Sequence, residues 1–466
     1  SDLGHLLDRT ADFDGDSCPE IILGYEENPN RLVTALFSQD GVGGLRQLLA
    51  LQEPAIPRSI GDSDGDGRLE LLTGYGFTTW LYEVNGIAPL SLSLVRKWQG
   101  DSNLQYWGSR LADLDGDKRG ELIMRVVRSG SNASDDFEVW RCTGKGEFTP
   151  IAVLSNPSRG DNFYGVPHCE TGDFDGDGRS EILLGDSDGD LFIYEMDGNR
   201  FTLTWQERLP LLDAVDFIAA GDFDGDGDPE FAAGCHSDPD LNTEHTYDSR
   251  HWCYRIYDKR GDNDYGVAAE WRFFGYESSK DFESGVSSGD SDGDGRDELF
   301  MAVYPDLYLA EYTPEGGYAL SFHTATVQAN AVTVVDSDGD SLRECWFSDG
   351  KAIHPWVLVE NLSAPAMPVG LLARPFDATR VDLSWSAVPG AQAYLLYRGP
   401  AEDRLALFAR VLQPAFRDSL VQPGVRYHYA VAAEDSARTP AVSLRSAVVA
   451  ARPGVRPALL SAAVTG

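Results

Sequence analysis

The chain has 466 residues, with 75 aspartates and glutamates against 38 lysines and arginines, and a formal net charge of −37. An excess of negative charge this large repels the phosphate backbone, which disfavours a nucleic-acid partner. The sequence has no apolar run long enough for membrane insertion, and its six cysteines form no CxxC pair, which argues against a zinc ribbon or a thioredoxin-like redox site.

A nine-residue frame recurs seven times between residues 12 and 344, with acids at positions 1, 3, 5 and 9 and glycine at position 4. A surface that only needs solubility would tolerate gaps in this pattern, yet every copy keeps all four acids. Aspartates at alternate positions of a tight turn converge on one point, and Ca²⁺ prefers roughly six to eight oxygen ligands. Glycine at position 4 permits the sharp turn. We therefore predict a calcium ion in each of the seven copies.

Other ions fit the frame less well, because zinc prefers cysteine and histidine and magnesium keeps a rigid octahedron with bound waters. An EF-hand is excluded, since the closing acid stands at position 9 and a strand-like run follows it. The expected ligands of each copy are the four acid side chains and the backbone carbonyl of position 7. In chain order these residues are Asp12, Asp14, Asp16, Cys18 and Glu20; Asp62, Asp64, Asp66, Arg68 and Glu70; Asp113, Asp115, Asp117, Arg119 and Glu121; Asp173, Asp175, Asp177, Arg179 and Glu181; Asp222, Asp224, Asp226, Asp228 and Glu230; Asp290, Asp292, Asp294, Arg296 and Glu298; Asp336, Asp338, Asp340, Leu342 and Glu344.

Each copy is followed by a short apolar run, such as ILLG after Glu181, and several are preceded by small residues. This pattern predicts that the frame is the turn of a β-hairpin. Further strand-like segments lie between the copies, and no long stretch has the apolar period of a helix. The copies start 46 to 68 residues apart, which suits a four-stranded propeller blade. A closed seven-bladed ring is favoured over a linear array, since closure removes exposed sheet edges.

A partial copy of the frame, DSDGD at residues 186–190, has Tyr194 at its ninth position. We interpret it as a hairpin turn and not as a metal loop. The longest spacing between copies contains residues 235–254, which hold His236, His245 and His251 among several acids. The favoured interpretation is a polar insertion closed by a Cys235–Cys253 disulfide. The alternatives are a metal-assisted or acid–base site, or a sugar-binding loop with Trp252 as a stacking platform.

Composition changes near residue 360, where the acidic frame stops and alanine, valine, proline and arginine become frequent. Residues 359–368 are predicted to be a linker, and residues 369–455 contain alternating strand patterns such as RVDLSWSAV. Residues 456–466 form an apolar tail.

The frame and the strands that follow it resemble the FG-GAP/VCBS repeats of integrin-α-like propellers over residues 1–358. The resemblance implies a calcium loop between adjacent strands of each blade, with the acids given above as ligands. Residues 369–455 resemble a fibronectin type III domain, which implies Trp385 in the core and Tyr427 as the tyrosine-corner residue. We therefore expect an all-β chain: a seven-bladed calcium-binding β-propeller followed by a fibronectin type III β-sandwich.

The first copy begins at residue 12, so the N-terminal segment is expected to supply the inner strand of the first blade. The seventh blade is then short of an outer strand, and we expect this edge or the tail 456–466 to make an intermolecular contact.

Searches for a G-x-S-x-G elbow, HExxH, a P-loop and a dinucleotide-binding turn find none of them. We favour a non-enzymatic, secreted extracellular or cell-surface protein with an adhesion or structural role, such as a subunit of a self-assembling fibre. Its expected partners are other protein subunits, including copies of itself, or surface glycans. The alternatives are a carbohydrate-binding propeller and a secreted polysaccharide lyase or hydrolase.

Overall fold

The computed structural model describes residues 4–6, 10–28, 31–39, 45–51, 53–86, 89–131, 133–158, 163–210, 214–237, 251–274, 285–314, 316–324, 331–337, 343–348, 356–359, 365, 367–401, 405–434, 442–443 and 445–454. These residues form strands and connecting turns. Within them, the structure shows no helix that could span a membrane. The chain divides into two compact units, Ser1–Ala319 with Thr324–Val359, and Leu320–His323 with Glu360–Gly466.

Strands up to residue 359 form seven consecutive antiparallel sheets within the described residues, and neighbouring strands of a sheet follow each other in the chain. Sheets one to four consist of β1 (Gly4–Leu6), β2 (Ile21–Asn28), β3 (Arg31–Gln39) and β4 (Leu45–Ala50); β5 (Ile56–Gly61), β6 (Glu70–Tyr75), β7 (Thr78–Asn85) and β8 (Ser91–Trp98); β9 (Leu104–Ala112), β10 (Glu121–Arg128), β11 (Ser134–Gly144) and β12 (Glu147–Ser155); β13 (Cys169–Gly172), β14 (Glu181–Gly185), β15 (Asp190–Asp197) and β16 (Arg200–Arg208). Sheets five to seven consist of β17 (Phe217–Gly221), β18 (Glu230–Ser237), β19 (His251–Gly261) and β20 (Asp264–Phe274); β21 (Val286–Gly289), β22 (Glu298–Val303), β23 (Asp306–Thr313) and β24 (Gly317–Thr324); β25 (Val332–Val335), β26 (Glu344–Ser348) and β27 (Trp356–Val359).

The acidic frame is the turn between the first two strands of a sheet, as the sequence predicts. A small residue before the frame pairs with its closing glutamate, as Gly172 does with Glu181 and Ala112 with Glu121. The second strand of each hairpin is the apolar run, and in sheet four β14 is buried along its whole length. Burial of these strands holds the two ends of the turn together.

Packing between the first and seventh sheets closes the series into a ring. Ile21 of β2 packs in one buried cluster with Val335 and Trp346 of the seventh sheet. The Ser337 hydroxyl donates a hydrogen bond to Gln39 Oε1 at 3.0 Å and accepts one from Trp346 Nε1 at 3.1 Å. A ring of sheets with their first strands in sequential contact is the arrangement of a β-propeller.

The N-terminal strand β1 pairs with β2, so the prediction that it supplies the inner strand of the first sheet is confirmed. The described part of the seventh sheet has three strands, β25 to β27. Residues 349–355 and the tail 456–466 lie outside the described residues, so the proposed contact of the tail stays a prediction.

The second unit contains a β-sandwich of two sheets. Its strands are β28 (Leu372–Asp377), β29 (Arg380–Ser384) and β32 (Ala415–Asp418) in one sheet, and β31 (Ala406–Val411), β30 (Ala393–Gly399), β33 (Tyr427–Glu434) and β34 (Val449–Ala451) in the other. Trp385 is buried in the core against Tyr394, with ring centroids 5.3 Å apart. The Tyr427 hydroxyl accepts a hydrogen bond from the backbone N–H of Gln422 at 3.1 Å, which is the contact of a tyrosine corner.

Replacing Trp346 with alanine should lower the free energy of unfolding by about 3–5 kcal/mol, because it leaves a cavity where the first and seventh sheets meet. Urea unfolding followed by circular dichroism measures this loss. Leu94→Ala is the control, because Leu94 is 55% exposed and its truncation should change stability by no more than about 0.5 kcal/mol. Equal effects of the two changes would contradict the packing role of Trp346.

Candidate metal centres

Hydrogen bonds inside the first six acidic loops fix the directions of several carboxylates. In the sixth loop, Asp290 accepts from the backbone N–H groups of Gly293 at 2.7 Å and Gly295 at 3.0 Å, and Asp294 accepts from Arg296 N–H at 2.9 Å. The same three contacts recur in the first, second, third and fifth loops. These contacts hold the carboxylates of positions 1 and 5 in these five loops against the backbone of the turn.

The closing glutamate joins the two ends of the frame. One of its oxygens accepts a hydrogen bond from the backbone N–H of position 2, over 2.6 to 3.1 Å, and each of these glutamates is at most 3% exposed. The donor and acceptor pairs are Phe13 and Glu20, Ser63 and Glu70, Leu114 and Glu121, Phe174 and Glu181, Phe223 and Glu230, Ser291 and Glu298, and Ser337 and Glu344.

Several buried oxygens in these loops have no hydrogen-bond donor. They are Asp14 Oδ1, Glu20 Oε1, Asp173 Oδ1, Glu181 Oε1 and Glu298 Oε1. A buried carboxylate oxygen without a partner is costly, so such atoms mark places where a cation belongs. In the fourth and sixth loops, all four acids can place one oxygen each within 4.8 Å of the others. These clusters can hold a metal ion, and a donor set made only of oxygens suits a hard cation.

Burial is the main reason that the closing glutamates resist ionisation. It raises the pKa of Glu181, Glu230 and Glu298 to about 8, and that of Glu20 and Glu70 to about 7, and repulsion from loop aspartates adds to the effect. Without a cation these loops therefore favour a bound proton.

The metal-free protein should become less stable as pH rises from 5.5 to 8. The closing glutamates have a higher pKa when folded than when unfolded, so the stability that their protons contribute is lost as pH passes through 7 to 8. Protein stripped of metal and dialysed into chelator-free buffer should show a falling melting temperature across this range. Added Ca²⁺ should reverse the fall at pH 8, and a melting temperature that rises with pH in the stripped protein would contradict this account.

Position 6 of the frame has a backbone requirement that the sequence analysis missed. Its φ is positive, at 74° for Ser17 and 71° for Lys118, and glycine takes this place in four other loops. The recurrence of glycine at position 6 was the feature of the sequence that could have indicated this positive φ. Left-handed backbone at positions 4 and 6 lets the N–H groups of these two positions reach the first aspartate.

Consecutive loops contact one another through position 7 and the residue after it. The Arg119 side chain lies against Gly65 of the preceding loop, and Arg296 lies against Gly225 in the same way. In addition, the Gly120 N–H donates to the backbone carbonyl of Asp62 at 2.7 Å. The position-7 residues expected as backbone ligands thus also join neighbouring loops. In the seventh loop Asp336 and Glu344 are described, whereas Asp338, Asp340 and Leu342 lie outside the described residues.

The partial frame at 186–190 forms a hairpin turn between β14 and β15, as predicted. Arg208 donates to Asp188 at 2.9 Å and pairs with Asp190, and Ser158 also donates to Asp190 at 2.7 Å. Here a side-chain cation neutralises the acids.

The insertion at 235–254 is described at its two ends, and residues 238–250, with His245, lie outside the described residues. Cys235 and Cys253 are opposite each other on β18 and β19, but the structure has no disulfide between them. The interpretation of Trp252 as a stacking platform is wrong, because Trp252 is 1% exposed and is stacked on Phe217 and His236. The sequence could not show this burial, since an aromatic beside polar residues fits either environment.

Comparison with known proteins identifies repeats in part of the chain. A family model described as an FG-GAP-like repeat matches residues 113–184 and 173–233. These two segments are therefore similar to FG-GAP-like repeats.

Two curated relatives are amylopullulanases, each 36% identical: one from Thermoanaerobacterium saccharolyticum over 78 residues and one from Thermoanaerobacter thermohydrosulfuricus over 120 residues. The alignments cover 16% and 25% of this chain, and the chain spans only 6% and 7% of the length of these relatives.

Among solved structures, an Fn3-like protein from Clostridium thermocellum is 28% identical, and the match covers 20% of this chain and 100% of that one, with a TM-score of 0.18. The Cps50 (Swd1) β-propeller domain from Myceliophteria thermophila is 11% identical and the match covers 76% and 99%, with a TM-score of 0.42.

Proposed function

We propose that this chain is an extracellular, calcium-stabilised, non-catalytic protein with an adhesion or structural role. It consists in this proposal of a seven-bladed propeller of FG-GAP-like repeats and a fibronectin type III-like domain. The observation that carries the proposal is the buried carboxylate oxygens without donors, such as Glu181 Oε1 and Asp173 Oδ1, at the centres of repeated loops. In an exposed acidic turn, water would solvate the carboxylate oxygens. Glu181 Oε1 and Asp173 Oδ1 are instead buried away from water.

Calcium is the cation that these donors favour. The aspartates of each loop, its closing glutamate and the position-7 carbonyl would supply the oxygens, which suits the large and flexible coordination shell of Ca²⁺. Sites of this kind in extracellular modules bind at about 10⁻⁴–10⁻³ M, so they fill where calcium is abundant. Secretion or display at the cell surface is therefore part of the proposal.

The ion supplies positive charge that offsets repulsion within each loop, and the loop joins the first two strands of its sheet. The proposed role of the ion is therefore to stabilise the ring. Surfaces of the ring outside the acidic loops remain available to bind partners. The edge strand β27 of the seventh sheet is one such surface, because the described part of that sheet has three strands while the other six have four. We propose strand addition at this edge by another protein subunit, including a second copy of this chain.

Chelation should lower the melting temperature of the first unit far more than that of the second. The acidic loops all belong to the first unit, and ligand binding to the native state stabilises by mass action. Differential scanning calorimetry with and without Ca²⁺ measures both transitions. Replacing Asp175 with alanine should remove one ion and cost modest stability, with Glu147→Ala, an exposed acid at the start of β12, as the control. Identical melting curves in Ca²⁺ and in chelator would refute the calcium assignment.

Carbohydrate binding is a second candidate, favoured by exposed aromatic side chains in sheets two and three. Tyr75 is 47% exposed and Phe77 is 38% exposed, and the Phe77 ring is 6.1 Å from that of Trp107. Aromatic faces beside polar groups are suited to stacking on sugar rings. The names of the two relatives, amylopullulanases, make pullulan a reasonable probe.

Affinity electrophoresis in pullulan gels tests this candidate. Retardation of the protein that is lost in Phe77→Ala and kept in Val153→Ala would support it, since Val153 is an exposed apolar residue elsewhere in the first unit. Unchanged mobility in pullulan, together with no signal on a glycan array, would leave the adhesion or structural role as the proposal.

A further inference from the structure

The third acidic loop contains a cation of its own. Arg141, on β11, donates from Nη2 to Asp115 Oδ2 at 2.6 Å and from Nε to Glu121 Oε1 at 2.8 Å. Its third nitrogen, Nη1, donates to Asn199 Oδ1 in the turn between β15 and β16 at 2.8 Å. The guanidinium is therefore held by acceptors from the loop, from the start of β10 and from the next sheet.

The same glutamate oxygen has different partners in different loops. Glu20 Oε1, Glu181 Oε1 and Glu298 Oε1 are buried without a donor, whereas Glu121 Oε1 accepts from Arg141. In all four loops the other oxygen accepts from the backbone N–H of position 2. Asp113, Asp115 and Glu121 can place one oxygen each within 4.8 Å of the others, but the Glu121 oxygen already has a donor where Glu20, Glu181 and Glu298 have none.

The strand register explains why an arginine reaches this loop. Glu70 pairs across the strands with Glu83, and Glu181 pairs with Glu195. In the third sheet Leu122 pairs with Trp140, which brings the next residue, Arg141, to the corresponding place beside the closing glutamate. Opposite the closing glutamate, the second and fourth sheets have an acid, whereas the third sheet has Arg141.

The position-7 arginines have different partners in different loops. Arg68 and Arg179 donate to the opposite acids Glu83 at 3.2 Å and Glu195 at 2.8 Å. Arg119 instead lies against Gly65 of the second loop, and Arg141 turns to the acids of its own loop. Arg141 therefore brings a cationic side chain to two acids of the third frame, in addition to the arginine at position 7.

The chain contains an independent example of the same arrangement. In the partial frame at 186–190, Arg208 contacts Asp188 and Asp190. A DxDGD turn in this protein can therefore be held in shape by a guanidinium, which is a planar donor with a fixed geometry that matches carboxylates.

We propose that Arg141 takes the place of the calcium ion in the third loop, so the chain binds one ion fewer than it has complete frames. This inference rests on the proposed function, because it concerns which of the proposed sites are filled. A calcium ion at this loop would have to break two charge-assisted hydrogen bonds and lie next to a fixed positive charge. The third loop would then keep its shape when calcium is removed, unlike its neighbours.

Counting bound Ca²⁺ by native mass spectrometry tests the proposal. Asp175→Asn should lose one ion relative to the unmodified protein, whereas Asp115→Asn, at the same frame position of the third loop, should lose none. Arg141→Gln should gain one ion, and adding Asp115→Asn to it should abolish that gain. Arg125→Gln is the control, because Arg125 belongs to the same sheet but pairs with Asp135 away from the loop.

Loss of one ion in Asp115→Asn alone would overturn the proposal, and so would an unchanged count in Arg141→Gln.

Hydrogen exchange of the metal-free protein gives a second readout that does not depend on ion binding. Residues 113–121 should exchange several-fold more slowly than residues 173–181, and equal rates would overturn the proposal. If no variant binds calcium but this difference in exchange persists, the proposed calcium role fails while the role of Arg141 stands.

Discussion

Repulsion within the acidic loops is the constraint on which this molecule depends. Each frame holds four carboxylates in nine residues, and the closing one is almost completely buried. Burial withdraws the solvent that normally separates like charges, so each loop needs a positive charge or a proton in order to persist. An arginine side chain meets this need in the third loop and in the turn at 186–190, whereas buried carboxylate oxygens of the first, fourth and sixth loops have no donor.

Backbone geometry decides which oxygens are left for a cation. In the sixth loop the first aspartate accepts from N–H groups of the turn, and one oxygen of the closing glutamate accepts from the N–H of position 2. What remains is a converging set of carboxylate oxygens at the end of a buried hairpin. The geometry of the candidate metal site therefore depends on the folding of the sheet, because the loop connects the same strands that bury the glutamate.

Local features of this protein could be predicted from its sequence, because they depend on residues close together in the chain. The hairpin at each frame and the place of β1 in the first sheet follow from the frame and its position in the chain. The burial of Trp385 was instead expected from the resemblance of residues 369–455 to a fibronectin type III domain. Arg141 could not be found in this way, since its contact with Glu121 depends on strand register over twenty residues. Trp252 was misjudged for a related reason, because its burial is decided by Phe217 on another strand.

Contacts between loops run in one direction along the chain. The N–H of Gly120 reaches back to the carbonyl of Asp62, and that of Asp297 reaches back to Asp222, each from the eighth position of one frame to the first of the frame before it. A repeat therefore carries within itself the group that joins it to its predecessor. Duplication of a whole repeat in evolution would copy that link along with the loop.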